Sequence, residues 1–532
     1  MGNVSRRTFI RTAVAAGTTA WFANQANITL AQSPSGHQVF QHGVASGDPL
    51  ATSVILWTRV TPTPDALPGS GRGENVDVHW EIAPDPSFST IVAQGLTATS
   101  VETDHTVHID PYGLKPATVY YYRFRALGQI SPVGRTQTTP APTSKVDQFR
   151  CAIASCASWE SGFFAAYRDI AERAQRGELD VVVHLGDYIY EYGTGEKSGK
   201  LGPLRTHQPE WETVTLADYR LRYGTYRTDP HLQAAHAAVP WVVTWDDHEI
   251  ANNAYAGGAE NHDPSEGPWD QRRKAAMQAY FEWQPLRATN PSQGGHLYRR
   301  LQFGTLAELV MLDLRTYRAA PGTLQLLKAN RSPDVVGEEQ FSWLTKQVEN
   351  STTNWRLIGN SVMLAKMDII ALPYQVQSAL QEMIGSPITT PVLSDQWDGY
   401  VNDRDRLLEI LADAGGHTVF FTGDIHSEWG NEIMHKDRLV AAELVCTSIS
   451  APNVDDMLKL HENNPISQHS ATQIRAANSH VRHIELDAHG YSIATVTVDG
   501  VDMMWLRVAD KAVAESEVFV AHTLRYDGTQ LR

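Results

Sequence analysis

Five apolar runs of strand length in this chain each end in residues that bind metals or phosphate. The run 149–154 leads into Ser155-Cys156, and 179–184 into Gly186-Asp187-Tyr188-Ile189-Tyr190. The run 239–245 ends in Asp246-Asp247-His248-Glu249, with Asn252 and Asn253 just beyond. The run 355–358 leads into Gly359-Asn360, and 418–421 into Gly423-Asp424-Ile425-His426. Taken singly, each is a weak signal. Gly-Asp after a strand is usually a turn, and a lone histidine or tyrosine there usually packs in a core. The signal lies in the recurrence: ligand sites in α/β sheets form at the carboxyl ends of strands. A carboxylate pair such as Asp246-Asp247 directly after a buried strand needs a cation nearby.

Those runs need elements to hold them. From about residue 147 to 510, apolar runs (306–312 is another) alternate with helical stretches such as 269–283 and 338–348. That pattern predicts a layered α/β domain with buried strands. Segments 491–498 and 501–508 flank Asp499-Gly500 and read as a hairpin. Upstream, 38–140 reads as a small all-β sandwich of the immunoglobulin or fibronectin type III kind. Val76, Val78, Trp80 and Ile82 alternate with polar neighbours, as a half-buried strand requires. A Leu114-Lys115-Pro116 turn enters a tyrosine-rich strand, as at a sandwich corner. Pro140-Ala141-Pro142-Thr143-Ser144 is a linker, and 511–532 a C-terminal extension. Segment 193–216 and the residues from about 510 onward are candidate lids.

Composition narrows the function. The chain has 532 residues, 44 basic and 60 acidic, a net charge of −16. That field repels nucleic-acid backbones, so nucleic-acid binding is not expected. Anionic substrates require cations to reverse the sign locally. Three cysteines make no disulfide framework. Ser5-Arg6-Arg7-Thr8-Phe9-Ile10 precedes a mildly apolar, alanine-rich run, with small residues near Ala31. This is the form of a twin-arginine signal over 1–31, so export by that machinery to the periplasm or beyond is expected. A monomer is expected.

Gly186-Asp187-x-x-Tyr190 resembles a motif of the purple acid phosphatase group of calcineurin-like metallophosphoesterases. Asp247-His248-Glu249 looks like that group's Asn-His-Asp/Glu motif and Asp424-Ile425-His426 like its His-x-His motif. Asp247, Asp424 and Cys156 depart from the purple acid pattern and are similar instead to the alkaline phosphatase D family. Gly43-Val44-Ala45-Ser46-Gly47-Asp48-Pro49, the stretch from Asp218-Tyr219-Arg220 through Tyr226-Arg227, Trp397-Asp398-Gly399-Tyr400 and His489-Gly490-Tyr491 also fit. The resemblance implies an α/β metallophosphoesterase β-sandwich flanked by helices, behind the small N-terminal sandwich. It implies one ferric ion and one or two calcium ions.

Ligand chemistry agrees with that implication. Cys156, Asp187, Tyr190 and His426 form a mixed soft and hard set suited to iron. Asp187, Asp247 and Asp424 form an all-oxygen set suited to calcium, with Asn252 or Asn253 as further candidates. The expected reaction is in-line attack of a metal-bound hydroxide on phosphodiesters and phosphomonoesters. His248 would be general acid or phosphate clamp, Asn360 a donor to a phosphate oxygen and Arg315 a possible substrate contact. The substrate class spans small molecules, lipids and cell-wall polymers. A phospholipase D-like activity on phospholipids, an inactive surface-binding protein of the same fold, and a metal-dependent hydrolase of amides are the alternatives.

Overall fold

Cys151 and Ile153 point to one side of their strand and Ala152 and Ala154 to the other, yet all four are buried. A strand buried on both faces must lie inside a layered structure. In the computed structural model, which describes residues 36–320, 333–368, 372–383 and 394–532, two sheets supply the layers. The nine-stranded sheet runs, in spatial order, Val518–Tyr526, Gly500–Val508, Gly490–Thr497, Gln148–Ala154, Val181–His184, Trp241–Val243, Val44–Gly47, Ile55–Arg59 and Thr106–Ile109. The seven-stranded sheet runs Arg299–Phe303, Ala307–Met311, Trp355–Asn360, His417–Thr422, Arg438–Val445, Glu428–His435 and Val481–Glu485. The signal-like segment 1–31 lies outside the described residues.

The two sheets pack face to face. Cys151, Ile153, Val181, Val183 and Val242 of the first meet Leu309, Leu357, Val419, Phe421 and Leu444 of the second in one apolar cluster. The alternate residues turn outward beneath helices. Ala152, Ala154, Val182 and Trp241 pack with residues of Ala165–Gln175, Leu216–Tyr226, Pro230–Ala238 and Trp269–Trp283. Val310, Ile358 and Phe420 pack with residues of Gly337–Glu349 and Val401–Ala414. The layers are therefore helix, sheet, sheet, helix. Among the described residues no helix is long and apolar enough to cross a membrane.

Parallel pairing aligns the strand ends that matter. Ala154 pairs with His184 and His184 with Val243 in one sheet, and Asn360 pairs with Thr422 in the other. The expected helix at 269–283 forms at those bounds, and the hairpin turns at Asp499. Some expected strands differ. The run 179–184 is a strand only over Val181–His184, the run 239–245 only over Trp241–Val243, and the run 355–358 continues so that Asn360 is its last strand residue.

The N-terminal segment is all-β, and its strands divide between two sheets. Val76–Ala83, Ala93–Thr99, Val119–Ala126 and Gln129–Ile130 form one, with Gly134–Gln137 paired to Val119–Ala126. The other three strands extend the nine-stranded sheet, and Gly47 pairs with Trp241. Val44, Leu56 and Val107 face Val78, Ile82, Tyr122 and Phe124 in one core. The sandwich therefore shares a sheet with the downstream layers, and Val39–Arg532 form one compact unit. The hydroxyl of Tyr120 accepts the Lys115 amide at 3.0 Å, the corner contact the sequence implied. The extension after 511 supplies the edge strand Val518–Tyr526, antiparallel to Gly500–Val508.

Gly47 sits where the two sequence segments join. A Cβ there would lie 1.9 Å from the Pro285 carbonyl oxygen and 2.7 Å from that of Trp241. Both obstacles are backbone and cannot rotate away. Gly47→Val is expected to destabilise the protein by at least the roughly 1–3 kcal/mol of an overpacked core, measured as a lower thermal unfolding midpoint. An unchanged midpoint would mean the join is loose.

Candidate metal centre

The strand ends meet in tight turns. Cys156 has φ 61°, Asp187 φ 54°, Asp424 φ 64° and His426 φ 46°. Left-handed backbone at non-glycine residues is uncommon and clusters at functional sites. The turn around Asp187 is held by Glu249. Its carboxylate accepts the amides of Asp187 at 3.0 Å, Tyr188 at 2.6 Å and Asp246 at 2.9 Å. Gly186 has φ 107°, and a Cβ on it would lie 2.4 Å from the Asp246 nitrogen. Only glycine lets these two turns approach so closely.

Three sets of ligand-type atoms result. One atom each from Cys156, Asp187 and His426 lie within 4.8 Å of one another. The same holds for Asp187, Asp247 and His248, and for Asp246, Asp247 and Asp424. Asp187 joins the first set to the second, and Asp247 joins the second to the third. The Tyr190 hydroxyl completes the first set, 3.1 Å from Asp187 Oδ2 and 3.0 Å from His426 Nε2. His426 Nδ1 donates to the Pro452 carbonyl at 2.8 Å. That fixes the tautomer and turns the Nε2 lone pair into the site.

The electrostatics call for cations. Burial pushes the Asp187 carboxyl well above its usual range; His248 pulls it back, while Asp247 and Asp246 add to the rise. Burial and then Asp246 raise Asp424. Burial and then Asp187 raise both the Cys156 thiol and the Tyr190 phenol. These shifts favour the protonated forms, and a further positive charge would oppose them. Asp247 Oδ1, buried, accepts no hydrogen bond. Orphaned buried oxygen, clustered carboxylates and a thiol, phenol and imidazole converging on one point are the donor set of a metal centre.

His248 is differently placed. Its Nδ1 lies 2.6 Å from Glu191 Oε2, and its ring centroid lies 4.2 Å from that of Tyr190. Burial opposes its charge, but Asp247, Glu191 and Asp187 outweigh burial and raise its pKa well above the usual value. Glu191 is fully buried and held down to about 2: burial raises it, and His248 with two hydrogen bonds more than reverses that. Those bonds come from Asn252 N at 2.7 Å and Asn261 Nδ2 at 2.9 Å.

Some expected residues take other roles. Arg315 is enclosed by carboxylates. It is 1% exposed, binds Asp246 through Nε at 2.6 Å and Nη2 at 3.0 Å, and reaches Asp395 at 3.0 Å. Its Nη2 also lies 3.6 Å from both Asp247 and Asp424. It is a buried counter-charge behind the carboxylates. Asn360 is fully buried and its side chain is engaged within the protein. Its Nδ2 donates to the Val362 carbonyl and to Thr422 Oγ1, and its Oδ1 accepts the Trp397 indole at 2.8 Å. Asn253 supports the site through its backbone amide, 2.6 Å from Asp247 Oδ2, while its side-chain amide donates to Glu260. Asn252 likewise contributes its amide to Glu191. Glu191 and Asp395 carry no role in the sequence reading, and Glu249 enters it only as the third residue of Asp247-His248-Glu249. Glu191 directly follows the motif residue Tyr190, which was the available signal.

Arg315→Met leaves Asp246 buried without its arginine partner, while Asp395 keeps Arg318. Removing one member of a buried pair costs roughly 3–5 kcal/mol, so the denaturant midpoint should fall accordingly. A stable variant with impaired ligand binding would return Arg315 to the substrate side.

The chain resembles known proteins. The PhoD-like phosphatase family model matches residues 151–505, and the model of that family's N-terminal domain matches 24–140. The chain is similar to alkaline phosphatase D of Bacillus subtilis (strain 168), 38% identical over 497 residues, covering 88% of this chain and 79% of that one. It is also similar to a solved structure of PhoD, with 34% identity, a TM-score of 0.81, and coverage of 94% of this chain and 93% of that one. On sequence, fold and extent alike, the chain belongs to the PhoD-like phosphatase family.

Proposed function

We propose that the protein hydrolyses phosphodiesters and phosphomonoesters with a ferric ion and calcium at this centre. The observation that carries the reading is Asp187. It is shared between a set containing a thiol and an imidazole and a set built from carboxylates and His248. Cys156, Asp187, Tyr190 and His426 would hold the iron, for which thiolate, phenolate and imidazole are apt ligands. Asp187, Asp247 and Asp424 would hold calcium through oxygen. When bound, the cations supply Lewis acidity, acidifying water and neutralising charge on the phosphoryl oxygens.

The chain's own residues do the rest. Asp187, common to two of the candidate ligand sets, would contribute to both cation positions. Glu191 keeps the His248 Nδ1 proton in place, which leaves Nε2 to give a proton to the leaving oxygen. Arg315 pairs with Asp246 and restrains the repulsion that Asp247 and Asp424 would otherwise feel. Export by the twin-arginine route, which carries folded proteins, fits a centre whose candidate ligands come from four strand ends and assemble only on folding.

Release of nitrophenol from bis-p-nitrophenyl phosphate is expected with calcium present, arrested by chelator and restored by calcium. Asp187→Ala and Tyr190→Phe should each lose bound metal, with kcat down on the order of 10²–10³-fold, as when a transition-state contact is removed. Wild-type activity and metal content in both variants would sink the ligand assignment. A protein that binds metal yet hydrolyses neither diester nor monoester would be a binding protein of this fold.

A further inference from the structure

The stretch from Asp218 to Arg227 has no part in the metal sets, yet it carries a charge in an unusual setting. Arg222 lies in the helix Leu216–Tyr226 and is fully buried. Among the described residues no carboxylate lies within ion-pair distance of it. Its guanidinium donates instead to five backbone carbonyls. Nε reaches Gln208 at 3.3 Å, and Nη1 reaches Tyr190 and, at 3.0 Å, Tyr192. Nη2 reaches Pro209 and Trp211, both at 3.0 Å. Burying a guanidinium without a counter-ion is expensive unless its donors are used, and here all three nitrogens are used. Two of the five carbonyls belong to the short segment that carries the candidate ligand Tyr190 and the His248 anchor Glu191.

Neighbouring positions on the helix act on the same backbone. Tyr226 is four residues from Arg222 and shares its face. Its hydroxyl accepts the amide of Tyr190 at 3.2 Å and that of Trp159 at 3.0 Å. Tyr190 is therefore gripped at its amide by Tyr226 and at its carbonyl by Arg222. Tyr219, three residues before Arg222, donates its hydroxyl hydrogen to the Ile250 carbonyl, just after the Asp247-His248 turn. It is itself held by Arg272 Nε at 3.1 Å. One helix face thus fixes the backbone on both sides of the His248–Glu191 pair.

We propose that Arg222 is a positioning residue for the metal centre. With Tyr226 it sets where the Tyr190 phenol and the Glu191 carboxylate sit, and through them metal retention and His248 orientation. The inference rests on the metal-centre reading above. A lysine cannot replace it, because one ammonium with three donors cannot span five carbonyls laid out around a planar fork. Groups that orient ligands typically account for 10–100-fold in metal affinity.

The test compares wild type with Arg222→Lys, Arg222→Met and Tyr226→Phe, each as the full exported chain. Bound metal is measured by elemental analysis after dialysis against graded EDTA, a readout that needs no substrate. Circular dichroism and thermal melting report folding. The expected result is folded protein that loses its metal at roughly 10–100-fold lower EDTA in the Arg222 variants, with Lys giving little rescue. Tyr226→Phe, which deletes one hydroxyl, should show a smaller shift in the same direction. If Arg222→Met does not fold, Tyr226→Phe and Arg222→Lys decide. Wild type loaded with metal and variants that retain it as tightly would overturn the positioning role alone. Wild type without metal would overturn the metal centre and this inference with it.

Discussion

Repulsion among buried acids governs this structure. Asp187, Asp246, Asp247 and Asp424 lie together with at most 7% exposure, where charge is poorly screened and like charges resist ionising together. The fold answers in three ways. Arg315 is driven between Asp246 and Asp395 from behind. The pKa of His248 is raised by Asp247, Glu191 and Asp187 against burial, and its ring is locked to Glu191. The remaining demand falls on metal ions, which explains why an acidic chain of net −16 can act on anionic esters.

The stacking of two sheets makes such a concentration buildable. Each sheet alone would present its strand ends in a row. Packed face to face through Cys151, Ile153, Leu357 and Phe421, the two rows oppose each other across one gap. The first sheet brings Cys156, Asp187 and Asp247, and the second brings Asp424 and His426. Left-handed turns at Cys156, Asp187, Asp424 and His426 then aim the side chains inward. Glu249 and Gly186 are the local conditions for those turns, one as an acceptor of three amides and the other as an absence of side chain.

Around this centre the supporting residues are unusually polar for a core. Arg222 binds only carbonyls, Glu191 binds two amide groups and a histidine, and Asn360 is saturated by Val362, Thr422 and Trp397. Fully satisfied polar networks define geometry more sharply than apolar packing, because hydrogen bonds are directional. That sharpness suits phosphoryl transfer, in which positioning of charge does most of the work.

The residue order determined the strand ends, and with them the list Cys156, Asp187, Tyr190, Asp247, His248, Asp424 and His426. Apolar runs and the residues closing them are local, so they are readable one segment at a time. The helix 269–283 and the hairpin at Asp499-Gly500 were legible for the same reason. Asn360 and Arg315 were placed on the substrate side because their residue types suit phosphate. Which way a side chain points, and what satisfies it, depends on residues 37 positions away for Asn360 and 69 for Arg315. The same holds for Glu191, Glu249 and Arg222, ordinary residues in sequence whose importance comes from partners that only folding supplies. The sharing of one sheet between the N-terminal strands and the catalytic layers was also decided in three dimensions, by the single parallel contact of Gly47 with Trp241. Local pattern names the candidate ligands; long-range hydrogen bonding decides their orientation, because the acceptors and donors that fix it come from strands and helices far apart in the chain.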